Sequence, residues 1–206
     1  MVGDTIASKL VELGHEVRMG SRTADNTKAA DWVRRTGPRA SQGTFADAAA
    51  FGEVVFLCTK GTVTLDVARA VGPAAVAAKV VVDVSNPIEV RPGEPLSLFV
   101  CNHDSLGEQV QRALPEARVV KTLNIVNCSL MADPGRTGDR PTMVICGNDA
   151  AGKAGVTALL RDFGWSDIID LGDIRAARGT EMLLPAWLML AQKLGRFDFA
   201  FKVARS

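Results

Sequence analysis

Residues 1–22, MVGDTIASKLVELGHEVRMGSR, decide the fold. Ile6, Leu10, Val11 and Leu13 recur at helical spacing, and Gly14 marks the stop. Glu16 to Met19 then form a short extended run. That run ends in Gly20-Ser21-Arg22, small and basic residues where a chain bends toward a phosphate. In a dinucleotide-binding βαβ unit, this place follows the second strand. An Asp or Glu there accepts hydrogen bonds from a ribose 2′-hydroxyl, whereas an Arg accommodates a 2′-phosphate. Ser-Arg without a carboxylate therefore points to NADP. The glycine fingerprint G-x-G-x-x-G also needs a strand before it and three glycines through the turn. Only Gly3 is present, at the third glycine's place, and Met1 stands where the turn should already be under way. Two readings follow: a nucleotide-binding unit without its first strand, or an amphipathic N-terminal helix with no glycine-rich loop.

Outward from this stretch, strands and helices alternate. Residues 26–36 read as a polar helix closed by Gly37-Pro38, and residues 43–51 as a second short helix. Val54 to Cys58 is an unbroken, β-branched apolar run, which suits a strand buried on both faces of a parallel sheet. Thr59-Lys60-Gly61 ends it. A helix over 62–78 carries Val63, Val67 and Val71 on one stripe, and Val80 to Val84 is the next strand, ending in Ser85-Asn86-Pro87. Residues 89–104 read as a loop. A helix over 105–114 begins with Ser105 and Glu108 at capping-box spacing. Further strands are expected at 118–123, 142–146 and 168–171, with an exposed loop over 131–141 and a helix over 150–163. A long helix over 174–194 contains Pro185, and an aromatic tail carries Phe197, Phe199 and Phe201. Such alternation implies right-handed crossovers and a Rossmann-like, doubly wound, mostly parallel α/β sheet with a short helical C-terminal extension. The expected division is 1–147 for the nucleotide-binding domain, lacking its N-terminal strand, and 148–206 for a strand and helical extension packed with it as one unit.

Composition narrows the chemistry. The chain has 206 residues, is 47% hydrophobic and carries a net charge of +1, which suggests neither a nucleic-acid nor a membrane partner. No apolar run reaches the ~18 residues of a spanning helix, and no signal pattern opens the chain, so a cytoplasmic protein is expected. Cys58, Cys101, Cys128 and Cys146 are dispersed, and only His15 and His103 supply imidazole. Neither zinc-ligand spacing nor a disulfide framework is visible, so metal-free chemistry is expected.

In open α/β sheets ligands bind beyond the carboxyl ends of the strands, near the switch in strand order. Four polar segments fall there: Gly20-Ser21-Arg22, Thr59-Lys60-Gly61, Ser85-Asn86-Pro87 and Thr122-Leu123-Asn124. Asn86 and Asn124 suit a carboxamide or a flat heterocycle. Lys60 suits either a phosphate or bulk water, and Trp187 either a flat ligand or the core.

The runs VGDTIASKLVELGHEVRMGSR, VVFLCTK, VVVDVSNP, ARVVKTLNIV and MVICGND resemble the NADPH-dependent coenzyme F420 reductase family, also called F420-dependent NADP oxidoreductases. The reductase domain of six-transmembrane metalloreductases belongs to the same group. The resemblance implies a Rossmann domain whose C-terminal extension closes over the nicotinamide. It puts the 2′-phosphate site on Ser21 and Arg22 with Thr23 adjacent, a strand-end loop on Thr59 and Lys60, and the nicotinamide side on Asn86, Pro87 and Asn124. With Gly3 and Val84 these form the candidate cofactor-binding set. The family's further basic residue has no match at Asn26, where Lys28 is the nearest substitute, and its Phe-Asn-Thr type of segment reads Leu123-Asn124-Ile125. The implied activity is direct hydride transfer between NADP(H) and a second redox ring such as coenzyme F420. Binding and orientation are then the protein's task, and no catalytic residue is identified. Expected partners are a small-molecule redox acceptor and, at most, a second copy of the chain. Rival readings are a non-catalytic, nucleotide-sensing protein and a reductase of another acceptor.

Overall fold

The computed structural model describes residues 2–205. Met1, assigned above to the glycine-rich turn, lies outside the described residues. Helix α1 (Val2–Glu12) buries Ile6, Ala7 and Leu10, and the chain turns at Gly14, in a left-handed conformation (φ 97°), back into β1 (Val17–Ser21). Helix α2 (Thr27–Thr36) starts at Asn26, whose side chain accepts from the Ala29 N–H. It seals its face with the fully buried Trp32, whose indole N–H donates to Ser8 Oγ on α1.

Strand β2 (Ala40–Thr44) pairs in parallel with β1, and α3 (Phe45–Phe51) follows at once. A reciprocal Thr44–Asp47 capping box defines that boundary. The sequence reading missed β2 and began the helix at residue 43. In ASQGT no apolar alternation marks a strand, and pairing with β1 creates it.

The second sheet holds β3 (Val54–Leu57), β4 (Val80–Asp83), β7 (Arg118–Thr122), β8 (Thr142–Gly147) and β9 (Asp167–Asp170), hydrogen-bonded in that order. β3, β4 and β7 run parallel, β8 is antiparallel to β7, and β9 is parallel to β8. Alternate residues serve opposite faces. Val82, Val84 and Val120 pack with α1, with α6 (Cys128–Ala132) and with α7 (Ala150–Asp162). Val81 and Val119 pack with α4 (Gly61–Val71) and α5 (Leu106–Ala113). With both faces covered, the doubly wound α/β fold holds.

Several expected boundaries move. The 62–78 helix stops at Val71, where Gly72 (φ 80°) ends it before a 3-10 turn at Pro73–Val76. The 89–104 loop contains the antiparallel pair β5 (Ile88–Glu89) and β6 (Ser97–Leu98). The 131–141 segment is exposed only in part, since Met131, Ala132 and Pro134 are buried. The last helix, α8 (Ala177–Leu194), continues through Pro185 after a short 3-10 turn.

The two sheets do not join. Among the described residues, β1 pairs only with β2 and β3 only with β4. Between β1 and β3 lies a cavity of about 660 Å³, lined by Ile6 and Leu10 of α1, Val17–Gly20 of β1, Val54–Leu57 of β3 and Cys58 just after it. Val54 is consequently exposed and Val55 and Phe56 only half-buried, which corrects the expectation of a strand covered on both faces. Helix contacts bridge the halves: α1 lies against α6, and α3 against α4. No helix among the described residues is long and apolar enough to cross a membrane.

Candidate functional site

Parallel register aligns the ends of β3, β4 and β7, with Leu57 opposite Asp83 and Asp83 opposite Lys121. Thr59, Asn86 and Asn124 therefore emerge along one edge. Ser21 belongs to that edge too: α1 runs back against β1, so the end of β1 lies level with the start of α1. There a Cβ on Gly3 would sit 3.4 Å from Cys58 Cβ, at the end of β3.

At the β1 end, the Ser21 hydroxyl donates to the Thr23 carbonyl, folding the loop back on itself and leaving Arg22 and Thr23 exposed. At the β3 end, the Thr59 and Thr64 hydroxyls lie 2.8 Å apart, and Thr64 Oγ1 donates to the Lys60 carbonyl. This tightens the first turn of α4 while the Lys60 side chain stays exposed. Gly61 is pressed on the neighbouring loop so closely that a Cβ would fall 1.9 Å from the Asn86 carbonyl oxygen.

The two asparagines meet directly. Asn86 Nδ2 donates to the Asn124 carbonyl (2.7 Å), and Asn124 Nδ2 donates to Asn86 Oδ1 (3.0 Å) and to the Thr180 carbonyl on α8 (3.2 Å). Asn124 is 2% exposed and its Oδ1 has no partner. A buried amide oxygen left unsatisfied costs ~1–3 kcal/mol, so this acceptor suits an incoming N–H donor. Leu123, just before it, is buried with φ 62°, a left-handed turn that a branched side chain adopts only under constraint. Val84 is a core residue, and Pro87 is buried with its carbonyl accepting from the Phe99 N–H.

Sequence reasoning missed a charged cluster beneath these loops. Asp83 and Lys121, cross-strand neighbours on one face, are both fully buried. Lys121 Nζ lies 2.9 Å from Asp83 Oδ2, 2.9 Å from Glu181 Oε1 on α8 and 2.6 Å from the Ser85 carbonyl. Burial works against the Lys121 charge, but Asp83 and Glu181 outweigh it and raise the ammonium above its ordinary range. Burial likewise pushes the Glu181 carboxyl up, against the pull of Lys121. A signal existed: Lys121 and Asp83 interrupt otherwise β-branched strands.

Trp187 is a core residue, stacked on Phe199 with ring centroids 5.0 Å apart. Burial pushes the Cys58 and Cys146 thiols up to about 12, which disfavours their thiolate forms.

This architecture has recognisable relatives. The pattern described as "NADP oxidoreductase coenzyme F420-dependent" matches residues 1–87. A solved structure from Arthrobacter sp. FB24, a candidate F420-dependent NADP reductase, superposes with a TM-score of 0.94 at 47% identity, covering 99% of this chain and 95% of that one. Metalloreductase STEAP3 of Rattus norvegicus is 30% identical over 189 residues, 89% of this chain and 35% of the rat protein. The F420-dependent NADP reductase of Methanocaldococcus jannaschii is 29% identical over 140 residues, 68% of this chain and 62% of the archaeal one. The chain thus spans about a third of the rat protein and less than two thirds of the archaeal reductase. On these matches the chain belongs to the family of F420-dependent NADP oxidoreductases.

Proposed function

We propose that this chain binds NADP(H) along the carboxyl edge of its sheet and serves hydride exchange between the nicotinamide and a second redox ring, coenzyme F420 being the favoured acceptor. The observation that carries this reading is the convergence on one edge of Ser21-Arg22, with no carboxylate, and of the Asn86–Asn124 pair with its unsatisfied Oδ1. An exposed guanidinium and a hydroxyl match the charge and geometry of a 2′-phosphate. A carboxamide N–H is the donor that Asn124 Oδ1 lacks. Arg22, Ser21 and Thr23 would hold the 2′-phosphate, Gly3 at the start of α1 would face the pyrophosphate, and Thr59 and Lys60 would flank it. Asn86, Pro87 and Asn124 would orient the nicotinamide. The bound cofactor supplies hydride chemistry at the nicotinamide ring, while the chain supplies binding and orientation.

The test is a titration with NADPH and NADH in parallel. NADPH is expected to bind more tightly, and Arg22→Ala to lose roughly 1.5–3 kcal/mol of NADPH binding, the scale of a hydrogen bond to a charged group, with NADH little affected. Equal affinity for both cofactors would sink the assignment. The acceptor is tested by mixing NADPH with coenzyme F420 and following the deazaflavin absorbance. The open space between β1 and β3 favours a second reading, a nucleotide binder without turnover. NADPH binding without hydride transfer to any deazaflavin or flavin would select it.

A further inference from the structure

The buried Lys121–Asp83–Glu181 cluster contributes none of the residues proposed to contact the dinucleotide, yet it lies directly beneath the loops that carry them. All three Lys121 protons are used, on Asp83 Oδ2, Glu181 Oε1 and the Ser85 carbonyl. Asp83 Oδ1 accepts from both the backbone N–H and the hydroxyl of Ser85, at 2.9 and 2.6 Å. Glu181 accepts from the first N–H groups of α5, Leu106 N to Oε2 and Gly107 N to Oε1, each at 2.9 Å. One ammonium and two carboxylates leave an excess negative charge, and the N-terminal end of α5 offsets it. Apolar replacements of such a buried cluster are often no less stable, so its value lies in conformational specificity.

Its connections give that specificity an object. Ser85, held by three of these bonds, directly precedes Asn86. Thr180, which directly precedes Glu181, lends its carbonyl to Asn124 Nδ2. We infer that Lys121, Asp83 and Glu181 are positioning residues that lock the β4 loop, the β7 loop and α8 in one register, holding the Asn86–Asn124 carboxamides in place to receive the nicotinamide end of the dinucleotide. The inference rests on the NADP(H) reading above.

The experiment uses the full chain and its Glu181→Gln variant, titrated with NADPH and with 2′-phospho-ADP-ribose, which lacks the nicotinamide. The side-chain amide signals of Asn86 and Asn124 are followed by NMR without ligand. The variant is expected to bind 2′-phospho-ADP-ribose as the parent does, to lose about tenfold in NADPH affinity, the size of one well-placed hydrogen bond, and to show shifted or broadened Asn signals. Equal weakening toward both ligands, or unmoved Asn signals, would overturn the positioning role. Should Glu181→Gln fail to fold, Asp83→Asn keeps an acceptor for Ser85 and leaves a neutral Lys121–Glu181 pair, and it is read in the same way. If the unaltered chain binds no 2′-phospho-ADP-ribose, the dinucleotide reading falls, and the Asn signals still decide whether the cluster positions the carboxamides.

Discussion

Gly61 illustrates how a single hydrogen atom in place of a methyl group sets the shape of a site. Its α-hydrogen faces the Asn86 carbonyl oxygen where a Cβ would lie at 1.9 Å, and the obstacle is backbone that cannot swing away. Gly61→Ala must push the β3 and β4 loops apart. We expect a loss of about 1–3 kcal/mol in urea unfolding, the cost of overpacking, together with weaker NADPH binding. Gly155→Ala on α7, where nothing lies within 4 Å of the added carbon, serves as the control and should be neutral or slightly stabilising. A Gly61→Ala protein as stable as the parent would show that the loops have slack. The sequence marks Gly61 only as a loop glycine, because its partner lies 25 residues away and only the parallel register of β3 and β4 brings it near. Asn86 and Asn124 were legible from their places at strand ends. Glu181 was not, since its role depends on where α8 docks.

At the scale of elements, α5 and α8 are joined by an ion pair that acid should release. Glu108 on α5 is hydrogen-bonded by Arg178 on α8 at 2.7 and 2.8 Å, and chiefly for that reason its carboxyl is held below its usual 4.5. Asp104, in front of α5, is brought down to about 2, mainly by Arg112. A carboxyl with a lowered value in the folded state stabilises above its unfolded range, and that stability fades as pH falls toward the folded value. Arg178→Gln removes the chief cause for Glu108. Its melting temperature should therefore lie below the parent's at pH 7, and the gap should close as pH drops below about 4.5. A gap that stays constant to pH 3 would show that the pair contributes packing and not charge. Elements with strong periodicity, such as α1, α7 and α8, were legible in outline. β2 was not, because its residues have no pattern apart from their pairing with β1. The reversal of β8 was not either, since strand direction leaves no trace in the composition of so short a strand.

For the whole molecule, the dominant feature is the division of the sheet. In a continuous sheet of order 3-2-1-4-5-6, one strand would stand between β1 and β3, and the cavity occupies that place. The alternation of strand and helix made the doubly wound architecture readable from sequence. How the halves hold together was not readable, because α1 against α6 and α3 against α4 are meetings of distant segments.

The same division predicts two cooperative units among the described residues. Residues 2–51 form a small α/β layer with its own two-stranded ladder, and among the described residues no backbone ladder ties it to the five-stranded body. It can detach by surrendering side-chain contacts alone, at a free energy below that of global unfolding. Amide protons of β1 and β2 should then exchange with solvent through this partial opening, and those of β4 and β7 only on global unfolding, an order that native-state hydrogen exchange measures. If Ser21 and Arg22 hold a 2′-phosphate as proposed, the bound cofactor would hold this unit shut.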